Sequence, residues 1–441
     1  MQPLRAEETP ERPLAPEQIE PLVTLINLVR TGEATTRPTL GQASTLGRTI
    51  VTQRVDQAIE MGYLVEGELA PSTGGRQPRQ LRFRGELARF VAVEFGTLHV
   101  GVTIMDLAQN VVRESHAEWD LTRGPDESME FVSELLDRMM AEEGPAPIWG
   151  IAVGIPGPVD FLSGRPIAPP IMPGWHLFNI RSWMEERYGA PVFVDNEANL
   201  KALGELHALG TWEQHSFAAT DNILYVKVGT GIGAGLISEG HVHRGANGAA
   251  GDVGHIAVTD SIDVVCRCGQ RGCLEAVAGG WALARDGEIA ASKGESEFLA
   301  RIMQSRGFLQ PADIAEGALN GDPTCIELVS RSGRVVGEML ASLVNFFNPS
   351  AVAIGGSIAG TGDLFLAAVR RVVYRRSLPL ALRDLRIIPA VAEREIGRIG
   401  AGRLVAERIF HHEAMLRWLP SGSPRADFEA VYSARLHKNP A

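Results

Sequence analysis

Long apolar runs are missing from this 441-residue chain. No stretch approaches the ~20 residues that a membrane-crossing helix requires, and the opening MQPLRAEETPERPLAP has none of the apolar core of a secretion signal. No membrane partner is expected, and the expected location is the cytoplasm. Cysteine is scarce: four occur, three of them between positions 266 and 273, which suits a metal site in a reducing compartment better than a disulfide framework. A basic excess is also lacking. With 42 Lys and Arg against 53 Asp and Glu, the net charge is −11, so any nucleic-acid contact must come from a local patch. What is present, 45% hydrophobic and 22% charged residues, is the composition of a globular protein with room for about two to four domains, and it excludes wholesale disorder.

The first 16 residues hold four prolines and three glutamates without periodicity and read as a flexible arm. Leu22, Leu25, Ile26 and Val29 then recur at helical spacing up to the stop signal Gly32. Thr36 can cap a short helix through Leu40 and Ala43, with Pro38 tolerated in its first turn. A further helix from about Gly47 to Met61 places Val51, Val55, Ala58 and Ile59 on one face and Arg48, Thr49, Thr52 and Gln53 on the other. Strands follow at Tyr63 to Glu66 and around Leu81 and Phe83, separated by the loop PSTGGRQP. Three helices and a hairpin within residues 17–86 predict a winged helix-turn-helix. Residues 17–85 hold eight arginines against seven acids, and four of the arginines, Arg76, Arg79, Arg82 and Arg84, fall in the wing. The polar helix face would meet base edges, while Arg76 and Arg79 would grip phosphate or enter the minor groove.

From Phe90 the texture becomes α/β, with short apolar strands at Phe90 to Glu94, Ile148 to Val153, Val192 to Val194, Ile223 to Val228 and Ala351 to Ile354, separated by helices and glycine turns. Two lobes around a cleft are the economical arrangement: residues 87–200 with 395–412 as the smaller, 201–394 as the larger, and 413–441 as a tail. No strong internal repeat is visible.

Two motifs carry chemistry. His255 followed by Cys266, Cys268 and Cys273 supplies three thiolates and an imidazole, a complete tetrahedral shell for a structural zinc that leaves no position for a catalytic water. Cys325, isolated on an apolar helix, reads as core. The run Gly229, Thr230, Gly231, Ile232, Gly233 after a strand lets backbone N–H groups approach an anion, although many glycine turns bind nothing.

The run GTGIGAGLISEGHVHRGANGAAGDVGH leading into CRCGQRGCLE resembles the ROK family of repressors, open reading frames and sugar kinases. Supporting matches are Gly154 to Pro158, Pro173 to Trp175, Val194 to Asn199, Gly355-Gly356 and a GGR wing at Gly74 to Arg76. The likeness spans about residues 17–410 and is to the regulator branch, in the manner of xylose- or N-acetylglucosamine-type repressors. It implies an actin/hexokinase-like (ribonuclease H-like) two-lobed body with a sugar in the cleft and zinc beside it. By the same resemblance Asn196, Glu197, Asp252, His255 and Glu275 would hold sugar hydroxyls. The alternative role for Asp252 and Glu275 is to orient zinc ligands, and Trp175 could equally be cleft wall or core.

The kinase pattern is broken at three places. The first phosphate loop, Asp-x-Gly-x-Thr in the family's kinases, is Glu94, Gly96, Leu98 here and has lost a hydroxyl. The catalytic Asp of their Asn-Asp pair is Glu197. Their Glu three residues before the metal His is Asp252. A carboxylate moved by over ~1 Å can cost about a hundredfold in rate. With Gly96, Gly229, Thr230, Gly231 and Gly233 as a phosphate-loop remnant, the expectation is a non-enzymatic, sugar-responsive repressor. It would bind operator DNA as a homodimer or dimer of dimers. The alternative is an ATP- and Mg-dependent sugar kinase carrying a DNA-binding domain.

Overall fold

The structure is a computed structural model describing residues 16–70, 77–211, 222–260, 264–391 and 393–433. Three helices, α1 (Pro16–Thr31), α2 (Arg37–Ser44) and α3 (Arg48–Glu60), precede a hairpin of β1 (Leu64–Leu69) and β2 (Arg79–Phe83). Thr36 caps α2, its hydroxyl accepting from Thr39 N while the Thr39 hydroxyl receives Thr36 N, and Gly47 and Met61 bound α3 as the sequence predicts. Leu22, Leu25, Ile26, Val51, Val55 and Ala58 are buried against one another. Three helices followed by a hairpin agree with the expected winged helix-turn-helix. Of the predicted arm, Pro16 opens α1 and residues 1–15 lie outside the described residues.

The body is built on two five-stranded sheets. The first joins β3 (Arg89–Phe95), β4 (His99–Asp106), β5 (Val111–Glu118), β6 (Ile148–Ile155) and β9 (Val192–Asn196) in the order β5-β4-β3-β6-β9. The short pair β7 (Val159–Asp160) and β8 (Arg165–Pro166) is attached nearby, and α4 (Pro125–Glu143) and α5 (Ile180–Tyr188) cover one face. The second sheet joins β10 (Ile223–Val228), β11 (Ile232–Ser238), β12 (His241–Val242), β13 (Ala351–Gly355) and β14 (Arg386–Pro389) in the order β12-β11-β10-β13-β14. In each, an antiparallel meander supplies three strands and two parallel strands extend the other edge. The two sheets thus share one topology, which the sequence, lacking a visible repeat, does not announce.

Helices α6 (Glu197–Thr211) and α14 (Glu393–Ile409) pack on each other between the sheets. A Cβ on Gly204 would strike the Ile396 carbonyl and one on Gly400 the Leu200 carbonyl, so glycine on both helices permits the close crossing. Alternation assigns Phe90 and Ala92 of β3, and Ile223 and Tyr225 of β10, to the layer facing these helices. The outer face of the second sheet is covered by α7 (Leu274–Ala278), α8 (Gly280–Ser292), α9 (Glu297–Arg306), α10 (Pro311–Leu319), α11 (Pro323–Phe347), α12 (Asp363–Arg376) and α13 (Pro379–Leu382). Cys325 is buried there as core. The proposed lobe boundary at 200/201 falls inside α6, which contacts strands of both sheets.

The expected tail is not one through residue 433. Past α14 come α15 (His412–Trp418), two 3-10 turns and α16 (Phe428–Ser433). Trp418 is fully buried, its indole N–H donating to the Ile409 carbonyl at 2.8 Å, with Tyr63, Trp149 and Phe410 around it. Four buried residues, Ala414, Met415, Trp418 and Leu419, are too few to set up a period, and PSGSP makes turns against the body rather than a linker. Residues 434–441 lie outside the described residues.

Candidate sugar cleft and metal centre

A cavity of about 550 Å³ lies where the carboxyl ends of β3, β9 and β10 converge, the crevice in which open α/β sheets bind ligands. Asn196, Glu197, Asp252, His255, Glu275, Leu98 and the loop 229–233 all line it. Gly96 stands at the turn beside it, its N–H donating to the His99 carbonyl at 2.9 Å and its open face filled by the His99 ring.

The polar groups are held from behind. Asn196 closes β9, with its Nδ2 donating to the Gly157 carbonyl and its Oδ1 receiving Ala198 N, both at 2.8 Å. Asp195 beside it is buried and paired with Arg244 at 2.7 Å. Glu275 Oε2 accepts from Ile232 N at 3.1 Å, and its carboxylate packs where a side chain on Gly231 would otherwise stand. One oxygen of Glu275 is therefore committed to shaping the glycine loop. The loop's own carbonyls are tied down as well: Gly229 O receives Gly280 N and Thr230 O receives Trp281 N at the start of α8. Burial raises the Asp252 carboxyl above its ordinary value despite the opposing effect of His255.

Glu197, the first residue of α6, is buried and ion-paired with Lys227 of β10. Lys201, one turn further along α6, lies 3.8 Å from Glu197 and 3.1 Å from Glu94. A charge-alternating chain thus runs from the first sheet through α6 to the second: Glu94, Lys201, Glu197, Lys227. Burial pushes the Glu197 carboxyl up, but the two ammonium groups outweigh it and hold the carboxyl below its ordinary range. His99 is held below its usual value by burial and by Lys227. Neither lysine nor His99 was singled out from sequence. An unmatched charge in a strand of otherwise apolar residues, ILYVKV, was the available signal for Lys227.

The predicted metal set is brought together. One ligand atom from each of His255, Cys266, Cys268 and Cys273 lies within 4.8 Å of all the others. The Cys268 and Cys273 sulfurs are 3.7 Å apart, and Cys266 Sγ is 3.7 Å from His255 Nδ1. Bonds of ~2.3 Å to a tetrahedral zinc require sulfur separations of that size, so the four residues fit the ion. Trp175 is core, fully buried against Phe95 with its N–H directed at the Leu121 carbonyl.

Comparison with known proteins settles the ancestry. The sequence pattern of the ROK family matches residues 90–408. The chain belongs to the ROK family. A xylose repressor of Caldicellulosiruptor bescii is 30% identical over 345 residues, 78% of this chain and 84% of that protein. The crystal structure of a ROK family transcriptional regulator, a homologue of the E. coli MLC protein, superimposes with a TM-score of 0.73 at 21% identity, covering 92% of this chain and all of the other. A ROK family glucokinase from Streptomyces griseus, solved with glucose and AMPPNP, gives 0.60 at 26% identity over 72% of this chain and 99% of the kinase. The fold is the actin/hexokinase-like one of ROK regulators and kinases.

In this ROK chain the winged module presents Arg48, Thr49, Thr52 and Gln53 as exposed side chains on α3. The Thr52 hydroxyl donates to the Arg48 carbonyl at 3.0 Å. Arg79 is exposed and lies 3.7 Å from Glu66, whereas Arg76 lies outside the described residues. Arg37 joins α2 to Asp56 of α3 at 2.7 Å and to Glu66 of β1 at 2.6 Å and so fixes the hairpin against α3. No helix among the described residues is long and apolar enough to cross a membrane.

Proposed function

We propose that the protein is a sugar-responsive transcriptional repressor that binds operator DNA through α3 and the wing as a dimer and takes its sugar in the cleft without phosphorylating it. The observation that carries this is the joining of a winged helix-turn-helix to a ROK body in which the residue at the kinase base position is clamped between two lysines. A general base must be free to take a proton and have a pKa near the working pH. One Glu197 oxygen is taken by Lys227, the two ammonium groups hold its carboxyl below the ordinary range and so away from the working pH, and Leu98 brings no hydroxyl to a phosphate. Asn196, Asp252 and the free edge of Glu275 supply the acceptors that sugar hydroxyls need, and the ring nitrogen of His255 not given to a metal supplies an N–H donor. A zinc held by His255, Cys266, Cys268 and Cys273 would act as a clamp that fixes the His255 ring at the cavity wall. The relatedness to a xylose repressor makes xylose the first sugar to test.

The intact glycine loop favours a second reading, a kinase with an attached DNA-binding module. One experiment separates the two. Genomic fragments bound by the protein are selected, and binding is repeated with xylose, glucose and N-acetylglucosamine while ADP formation from Mg-ATP is followed. Selective DNA binding altered by one sugar, without ADP, is expected. No selected sequence, or rapid sugar-dependent ADP release, would refute the proposal.

A further inference from the structure

We propose that α14, together with the segment from Phe410 to Gly422, is the coupling element that carries the state of the cleft to the winged module; this rests on the regulator reading above. The cleft end is closely fitted. Gly397 lies directly under the Glu94 carboxylate, which a side chain there would displace, and Glu94 is the terminal member of the ion chain that passes Glu197. One turn on, Gly400 and Gly204 bring the backbones of α14 and α6 together, and α6 begins at Glu197. A shift of Glu197 towards a bound sugar is therefore passed to α14 at both contacts.

The helix is long enough to reach. Its 17 residues span about 25 Å, and Ile396, Ala401, Leu404, Val405, Ala406 and Ile409 are all buried, so it moves as a packed rod. Its far end belongs as much to the winged module as to the body. Phe410 meets Phe83 of β2 edge-on at 5.6 Å, lies under the Arg30 guanidinium at 4.6 Å, and offers its carbonyl to Asn27 Nδ2 of α1 at 3.2 Å. Tyr63, between α3 and β1, packs on Trp418 and donates its hydroxyl to the Gly422 carbonyl at 2.8 Å. All three helices of the module pack onto the same core as these residues, so its orientation is set by where Phe410 and Trp418 sit. A packed seat of this kind has discrete arrangements rather than a continuum, and a ligand shifts it by favouring one of them. The direct backbone connection through Gly85–Leu87 is the competing route.

The test uses the full chain with Phe410→Leu and, separately, Tyr63→Phe, the second removing one hydroxyl and little packing. Operator affinity is titrated with and without saturating sugar, and sugar affinity with and without operator. Coupling is reciprocal, so one factor appears in both titrations, and a merely structural loss would lower affinities without changing that factor. The expected result is that sugar affinity alone and operator affinity alone stay within about threefold of wild type while the coupling factor falls at least about fivefold. An unchanged factor in both variants would overturn the inference and leave the Gly85–Leu87 route. A wild-type protein whose operator binding no sugar alters would instead remove the regulator reading itself, and this inference with it.

Discussion

Two buried carboxylates differ in what surrounds them, and their titration should differ in sign. Glu205 on α6 is fully buried and, among the described residues, accepts the Val391 N–H at 3.1–3.2 Å, so burial pushes its carboxyl up from 4.5 to about 7. A group whose folded pKa is raised favours the fold below its unfolded value and loses that contribution as pH rises through about 7. Glu205→Gln keeps an acceptor and removes the charge. Thermal melts should therefore show it stabilised by several degrees at pH 8 and by much less at pH 5; equal effects at both would contradict the assignment. Glu197 is the opposite case. Its depressed carboxyl stabilises the fold above the ordinary 4.5, and that contribution is lost as acid protonates it below that value. Removing its partner by Lys227→Met should cost about 3 kcal/mol in urea unfolding, because a buried charge is left short of compensation. Adding Glu197→Gln to the same chain should recover much of it, a non-additivity that identifies the pair.

Among the elements, α2, α3 and the zinc loop were legible because each obeys a local rule. Thr36 caps, the apolar residues of α3 recur at helical spacing, and Cys266, Cys268 and Cys273 stand at metal-ligand spacing beside His255. The segment behind α14 shows helical spacing over barely two turns, and its packing depends on a cage that brings Tyr63 and Trp149, far away in sequence, together with Phe410. The zinc loop can be tested by chelation. Since His255 and Glu275 both reach the cavity and Leu274 opens α7 next to Cys273, removing metal or making Cys268→Ser should weaken sugar binding and lower the melting temperature of the body. Metal content by mass spectrometry should be about one zinc per chain, and a metal-free protein with unaltered sugar affinity would rule the role out. On α3, Gln53 is exposed and free to meet a base edge. Gln53→Ala should relax preference at one operator position, costing about 1–3 kcal/mol there, as read by a selection profile of variant operators.

At the scale of the molecule, the two sheets repeat one topology and place Glu94, Asn196 and the glycine loop at strand ends facing a shared cleft. The strands and glycine turns could be read from sequence, but the repetition could not, because topology is conserved by packing geometry and not by side-chain identity. The lysine clamp escaped for a related reason: Lys201 and Lys227 are 26 positions apart and become partners only when α6 is laid across β10. With the clamp in place, sugar and Mg-ATP should give no turnover approaching the ~1–100 per second of kinases. Restoring Leu98→Thr and Glu197→Asp together should still fail unless Lys227→Thr is added, since groups that act as a unit respond only when all are in place.

The shared core has a practical consequence for anyone recombining such proteins. Because Phe410 and Trp418 are built into the same core as α1, α3 and the hairpin, the DNA-reading unit is not the first stretch of the gene alone. A chimera that grafts a foreign winged module onto this body should need both its own amino-terminal helices and a matching stretch corresponding to Phe410 through Ser433. Exchange of the front part by itself would leave Trp418 facing a stranger.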